Sequence, residues 1–173
     1  MTGLVSCGGE ATETADDTEV VATTPDTEVA DTWDNDRFGT TFASNRSYGD
    51  WDANDDNLLD ENEFDNGFYN TWDTNNDNKI DENEWTTANN DYGLDGQNWA
   101  DWDTNNDKTL DENEFKTGFD KSGYYSNWDK DGDKMIGERE YSDGLFGLWD
   151  DNGDSILDNN EYNDRYNRYY GTM

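Results

Sequence analysis

Five stretches of this chain repeat one arrangement of oxygen-bearing side chains. They read WDANDDNLLDENE (Trp51–Glu63), WDTNNDNKIDENE (Trp72–Glu84), WDTNNDKTLDENE (Trp102–Glu114), WDKDGDKMIGERE (Trp128–Glu140) and WDDNGDSILDNNE (Trp149–Glu161). Counting from the residue after the Trp, each has Asp at position 1, Asp or Asn at 3, Asp at 5, Ile or Leu at 8 and Glu at 12. Short carboxylate and amide side chains on alternate residues can converge on one point, and a distant Glu can close the ring with two oxygens. That donor set suits a hard divalent cation such as Ca²⁺, which takes six to eight oxygens. A backbone carbonyl at position 7 would complete the shell.

The composition narrows the remaining chemistry. There are 44 acidic residues against 11 basic ones in 173, a formal net charge of −33. Hydrophobic residues make up 30% of the chain, a level that ordinarily accompanies disorder. Two features oppose that reading. Aromatic residues reach 14% and recur with the acid motif, and much of the charge sits where a metal could neutralise it. Five Ca²⁺ would set ten positive charges against −33 and leave −23. So anionic a chain is a poor partner for nucleic acid or anionic lipid. No His is present, which removes the commonest general base and the commonest zinc or copper ligand. With Cys7 the only thiol, no intrachain disulfide or thiolate cluster can form. No apolar run approaches the ~20 residues that span a bilayer. The acids do form many pairs, but nearly all lie in the metal-ligand registers rather than in apolar surroundings that would raise a pKa for catalysis. The chain is therefore not expected to be an enzyme.

The elements that must position these acids follow from spacing. The position-1 residues Asp52, Asp73, Asp103, Asp129 and Asp150 lie 21, 30, 26 and 21 residues apart. Phe64, Phe68 and Trp72 fall at i, i+4 and i+8, as do Tyr141, Leu145 and Trp149, and Tyr162, Tyr166 and Tyr170. That is one face of a helix, so the aromatics are expected to be core rather than a sugar-stacking surface. Where loops are 21 apart, the outgoing helix of one must serve as the incoming helix of the next. The longer gaps, Trp85–Trp102 and Phe115–Trp128, are interrupted at Gly93–Gly96 and at Ser122-Gly123, and each can hold two short helices. Trp33-Asp34 with Phe38 and Phe42 looks like a worn or capping first unit without a Glu at position 12. Repetition at this period marks stacked supersecondary units.

The five loops resemble those of the EF-hand family, and Asp129–Glu140 comes nearest to the calmodulin-type loop. The resemblance spans roughly residues 33–170. It implies an all-α fold of short helices and calcium loops, some helices shared between adjacent hands, with up to five Ca²⁺. By this resemblance the first site would use Asp52, Asn54, Asp56, the Leu58 carbonyl and Glu63. The second would use Asp73, Asn75, Asp77, the Lys79 carbonyl and Glu84, and the third Asp103, Asn105, Asp107, the Thr109 carbonyl and Glu114. The fourth would use Asp129, Asp131, Asp133, the Met135 carbonyl and Glu140, and the fifth Asp150, Asn152, Asp154, the Ile156 carbonyl and Glu161. Asp60, Asp81, Asp111 and Asp158 at position 9 would act through water, and Gly137 leaves that place to water alone. The departure is position 6, where the family has Gly for a turn with positive φ. Here it holds Asn57, Asn78, Lys108, Lys134 and Ser155. Asn tolerates the left-handed region, whereas Lys and Ser should cost on the order of 1 kcal/mol, near a fivefold loss of affinity. That argues against nanomolar buffering and suits extracellular calcium. In the family the position-8 residue joins two loops through a short β-bridge. Five loops cannot all pair among themselves, so one must stand alone, join the Trp33 unit or join another molecule.

Leu4-Val5-Ser6-Cys7 followed by Gly8-Gly9 resembles the lipobox of bacterial lipoproteins, in which the chain is cut before a Cys that is then acylated. Residues 1–7 lack the basic n-region and the ~7–15-residue apolar stretch of a secretory signal. The resemblance therefore leans on residues 8–32, a Thr-, Ala- and acid-rich tether that carries Pro25. The expected layout is a lipidation remnant (1–7), a disordered acidic tether (8–32) and a repeat domain (33–173). The expected role is that of an exported, calcium-stabilised structural protein at the cell envelope or surface, in adhesion, spacing or self-assembly. It would touch the membrane only through a lipid at Cys7. The alternative is a calcium sensor or low-affinity buffer, although Met1, Met135 and Met173 form no stripe of the kind sensors use. Asn45-Arg46-Ser47 has the form of a glycosylation sequon.

Overall fold

The computed structural model describes residues 32–44, 47–94 and 96–171. Cys7, the tether up to residue 31 and Asn45 of the sequon lie outside the described residues. The described chain is mainly helical. Its elements are α1 (Asn35–Ser44), α2 (Ser47–Trp51), α3 (Glu61–Trp72), β1 (Ile80–Asp81), α4 (Glu82–Asp91), α5 (Trp99–Trp102), β2 (Thr109–Leu110), α6 (Glu112–Phe119), α7 (Tyr124–Trp128), α8 (Glu138–Trp149) and α9 (Asn159–Tyr169). A single 3₁₀ turn, Asp120–Ser122, joins α6 to α7.

Each acidic loop ends by starting a helix. Asp60, Asp81, Asp111 and Asp158, all at position 9, accept the backbone N–H of the Glu three residues on. That Glu returns a carboxylate oxygen to the backbone N–H of its cap. The two bonds form a capping box, with the N-cap contribution typically about 1 kcal/mol. Gly137 holds the same place before α8 and keeps only the return bond, its N–H donating to Glu140 Oε2 at 2.9 Å.

The helices follow the spacing of the loops. In α3 one run of 12 residues leads from the end of the first loop to the Trp before the second, and α8 joins the fourth and fifth loops in the same way. The two longer gaps each contain a pair of short helices, α4 with α5 and α6 with α7. Phe64, Phe68 and Trp72 on α3 and Tyr141, Leu145 and Trp149 on α8 are buried as the period predicts. The last stripe differs. Tyr162, Tyr166 and Tyr170 form a ladder of stacked rings, with centroids 5.1 and 6.4 Å apart. Only Tyr170 of the three is fully buried, and Arg165 and Tyr169 share the covered side of α9. Among the described residues whose side chains are placed, Ile156 is the one large apolar side chain that stands exposed, while Trp33, Trp99, Tyr162 and Tyr166 are half-buried.

A second contact shapes three of the five units. The ring of Trp51 lies so close over Gly67 that a Cβ there would come within 2.0 Å of it. Trp102 over Gly118 and Trp128 over Gly144 repeat this at 2.3 Å. Glycine is required by space rather than by backbone angle. The Trp before a loop thus lies on the helix after it and closes the unit at its base.

Every position-8 residue is bridged. Ile80 pairs with Leu110, Leu59 with Ile136, and Leu157 with Trp33. The three antiparallel bridges are nested about the middle of the chain. The fifth loop, left over once the other four pair, joins the N-terminal unit.

Candidate metal centres

The backbone that gathers the acids is strained in a repeated way. Position 6 has positive φ in all five loops, at Asn57, Asn78, Lys108, Lys134 and Ser155, with values from 62° to 71°. Position 4 does the same, at Asp55, Asn76, Asn106, Gly132 and Gly153. Two left-handed residues per loop are two more than most side chains tolerate cheaply, and Asn, Asp and Gly are the types that bear it. The position-4 requirement was readable from those residue types.

Amide hydrogens from the turning backbone hold the side-chain oxygens. In the first loop Asp52 Oδ1 accepts from the N–H of Asp56 and Oδ2 from that of Asn57, at 3.1 and 2.8 Å. The second, third and fifth loops repeat both bonds through Asp73, Asp103 and Asp150. In the fourth, Asp129 takes the N–H groups of Gly132 and Lys134. The position-5 carboxylates Asp56, Asp77, Asp107, Asp133 and Asp154 each accept from the N–H of position 7. Asn54, Asn105, Asp131 and Asn152 at position 3 accept from position 5. The position-12 carboxylates of Glu63, Glu84, Glu114, Glu140 and Glu161 span the loop, with Oε1 on the N–H of position 3 and Oε2 on that of position 9. Position 7 contributes backbone at Leu58, Lys79, Thr109, Met135 and Ile156, as the N–H donors just named.

Charge is not balanced inside these rings. Asp52, Asp73, Asp103, Glu63, Glu114 and Glu161 are buried. The ion pairs among the described residues join Lys116 to Asp65, Arg139 to Asp36 and Asp143, Arg165 to Asp151 and Arg168 to Asp91. None of them reaches a position-1 or position-12 carboxylate. A buried carboxylate without a counter-charge is costly unless a cation arrives from outside. In two loops the acid oxygens alone converge, each within 4.8 Å of the others: Asp103, Asp107 and Glu114 in the third, and Asp129, Asp131 and Asp133 in the fourth. All the convergent donors are hard oxygens, the chemistry that suits calcium or magnesium rather than zinc or copper.

Sequence reasoning missed the devices that brace the rings. Tyr48, Tyr69 and Tyr125 stand three residues before a loop Trp. Each phenol lies within bonding range of two carbonyls, position 6 of its own loop and position 8 of the partner loop. Tyr48 reaches Asn57 and Ile136, both at 2.9 Å. Tyr69 reaches Asn78 at 2.8 Å and Leu110 at 3.3 Å. Tyr125 reaches Lys134 at 2.5 Å and Leu59 at 3.4 Å. Burial, then nearby carboxylates, pushes the Tyr69 and Tyr125 phenols up to about 12 and Tyr48 higher still, so all three remain donors. The signal was the recurrent Tyr-x-x-Trp. Thr74 and Thr104 at position 2 also steady Glu84 and Glu114, each bond 3.0 Å. Thr109 donates twice to Asp107, through its hydroxyl and then its N–H, and holds that exposed carboxyl below its usual range.

Compared with known proteins, the chain matches no family model, no curated protein and no solved structure.

Proposed function

We propose that residues 33–171 form an EF-hand-type, calcium-stabilised structural domain with up to five sites. The observation that carries this reading is the position-12 Glu. In five loops it spans the ring and closes it from the same two amides, around position-1 and position-12 carboxylates that no ion pair among the described residues reaches. Calcium would supply the missing positive charge. The side chains at positions 1, 3, 5 and 12 and the carbonyl at position 7 would hold it, and the residues named for the five sites are those of the loops described above. Asp60, Asp81, Asp111 and Asp158 at position 9 would act through water, and each also caps the next helix through one oxygen.

Continuous helices tie the first loop to the second and the fourth to the fifth, and bridges tie the first to the fourth and the second to the third. The first, second and fourth hands are each coupled to two others and cannot swing open alone, which favours a rigid structural part over a sensor that exposes a groove. No helix among the described residues is long and apolar enough to cross a membrane. We place the protein outside the cytoplasm, anchored at the envelope or surface through a lipid on Cys7, as a non-enzymatic spacer or adhesive part. The test of this role is hydrophobic-dye binding during a calcium titration. A structural domain loses dye as its core forms. A calcium-induced rise in dye binding by an already folded domain would favour the sensor. Mass spectrometry of native membrane protein tests the anchor, and an unmodified Cys7 thiol would end that part of the proposal.

A further inference from the structure

Trp33 sits in a register that its sequence conceals. Trp33-Asp34 looks like the Trp-Asp that opens each loop, yet Trp33 occupies the bridging place, position 8. Its N–H donates to the Leu157 carbonyl at 2.9 Å, and Leu157 N–H returns to Trp33 at 2.8 Å. The next residues follow the repeat. Asp34 accepts the Arg37 N–H at 2.7 Å, as each position-9 Asp accepts from its Glu. Phe38 is buried where Phe64 and Phe115 are buried in their units. Arg37 therefore occupies position 12, the place of Glu63, Glu84, Glu114, Glu140 and Glu161.

A cation now stands where the other units carry their closing anion. The Arg37 guanidinium donates through Nη1 to the Thr32 carbonyl at 2.8 Å. Thr32 is at position 7 of this unit, the position whose carbonyl completes the shell in a calcium loop. The same guanidinium lies 4.4 Å from the centre of the Trp33 ring. Trp33 also stacks on Tyr162 of α9, with centroids 4.9 Å apart and planes at 17°.

We propose that Thr32–Phe38 is a sixth repeat whose positive charge is built in, and that Arg37 sets the calcium affinity of the fifth loop by holding that loop's bridge partner in place. The proposal rests on the calcium reading for the fifth loop. A bridge partner with no ion of its own to lose remains ordered when calcium is scarce. Every other loop is paired with one that must itself be filled.

The test is a calcium titration of the full chain by amide NMR, comparing the wild type with Arg37→Gln and Arg37→Lys. Gly153 and Gly132 occupy position 4 of the fifth and fourth loops and report them separately. Loss of a charge-assisted bond and a cation–π contact should move the Gly153 midpoint in Arg37→Gln to roughly fivefold higher calcium. Gly132 should move by less than about twofold, and amide exchange at Trp33 and Leu157 should quicken. Arg37→Lys keeps the charge and should recover most of the shift. An unchanged Gly153 midpoint in Arg37→Gln overturns the inference, as does an Arg37→Lys chain that loses as much as Arg37→Gln. If neither glycine of the wild type responds to calcium, the calcium reading itself has failed and takes the inference with it.

Discussion

The innermost and outermost bridges of this molecule join loops of opposite character. Around Ile80 and Leu110, both partners carry a full ring of acids. Around Trp33 and Leu157, one partner carries a full ring and the other carries Arg37. The backbone geometry of the bridge is nonetheless kept. Satisfying the paired N–H and C=O groups is thus a demand separate from neutralising the rings, and a unit that carries Arg37 meets it.

The largest expected effect comes from chelation. Two facing acid rings repel more than one ring facing an arginine, so the two bridges should fail in order. With excess chelator the domain should expand and its Trp emission should shift to the red, if binding free energy is folding free energy as proposed. Hydrogen exchange should show the Ile80–Leu110 bridge opening before the Trp33–Leu157 bridge. Inner-bridge protection that outlasts the outer would reverse the comparison.

Next in size is the base of the units. Gly118 in the inner pair admits the Trp102 ring, and a Cβ would stand 2.3 Å from it. Gly118→Ala should cost about 2 kcal/mol, measured by denaturant unfolding in saturating calcium. The matching place in the fifth unit holds Arg165, whose guanidinium pairs with both Asp151 oxygens at 2.7 and 3.0 Å. Arg165→Gly should therefore lose stability rather than gain it.

Removing a ring-closing carboxylate separates the pairs by coupling. Glu114→Gln should weaken its own site by about tenfold, roughly 1.4 kcal/mol, and weaken the second loop with it through the shared bridge. Glu161→Gln should weaken the fifth site with no second site lost across its bridge, since Arg37 stands there. Equal spread from both substitutions, read by isothermal calorimetry, would erase the distinction.

Tyr69→Phe should cost about 1 kcal/mol, since two carbonyls lose their shared donor. Phe146 occupies the same place before the fifth loop and has no such bond to lose. The alkaline limit follows with a definite sign. The Tyr69 phenol is raised to about 12 when folded, so its contribution is present below the ordinary Tyr value near 10 and disappears as pH rises through 12. Ultraviolet titration should find this phenol ionising only as the fold is lost. The smallest effect is Lys108→Gly. It should tighten the third site by about fivefold by relieving a residue at φ 71°.

Much of this arrangement was legible beforehand, for identifiable reasons. A gap of 21 residues between loops leaves room for one helix only, and α3 and α8 obey it. The glycine breaks in the longer gaps likewise marked α4 with α5 and α6 with α7. The order of pairing was not legible, because Leu59, Ile80, Leu110, Ile136 and Leu157 are interchangeable as bridge residues and carry no address. Nesting is decided by where the helices turn. Trp33 was misleading for a related reason. A Trp-Asp pair opens each loop, but at Trp33 the same dipeptide supplies a bridge and a cap. The three phenols were hidden because an aromatic at helical spacing reads as core, and the period says nothing of a hydroxyl aimed at two carbonyls.

On the proposed reading, five loops each hold a calcium ion, and filling them folds the domain. Isothermal calorimetry of the full chain, with circular dichroism recorded on the same calcium series, tests it most directly. Five sites should fill by millimolar calcium, with the helix signal rising as they do. Two sites or fewer at that concentration, or a helix signal indifferent to calcium, would contradict it.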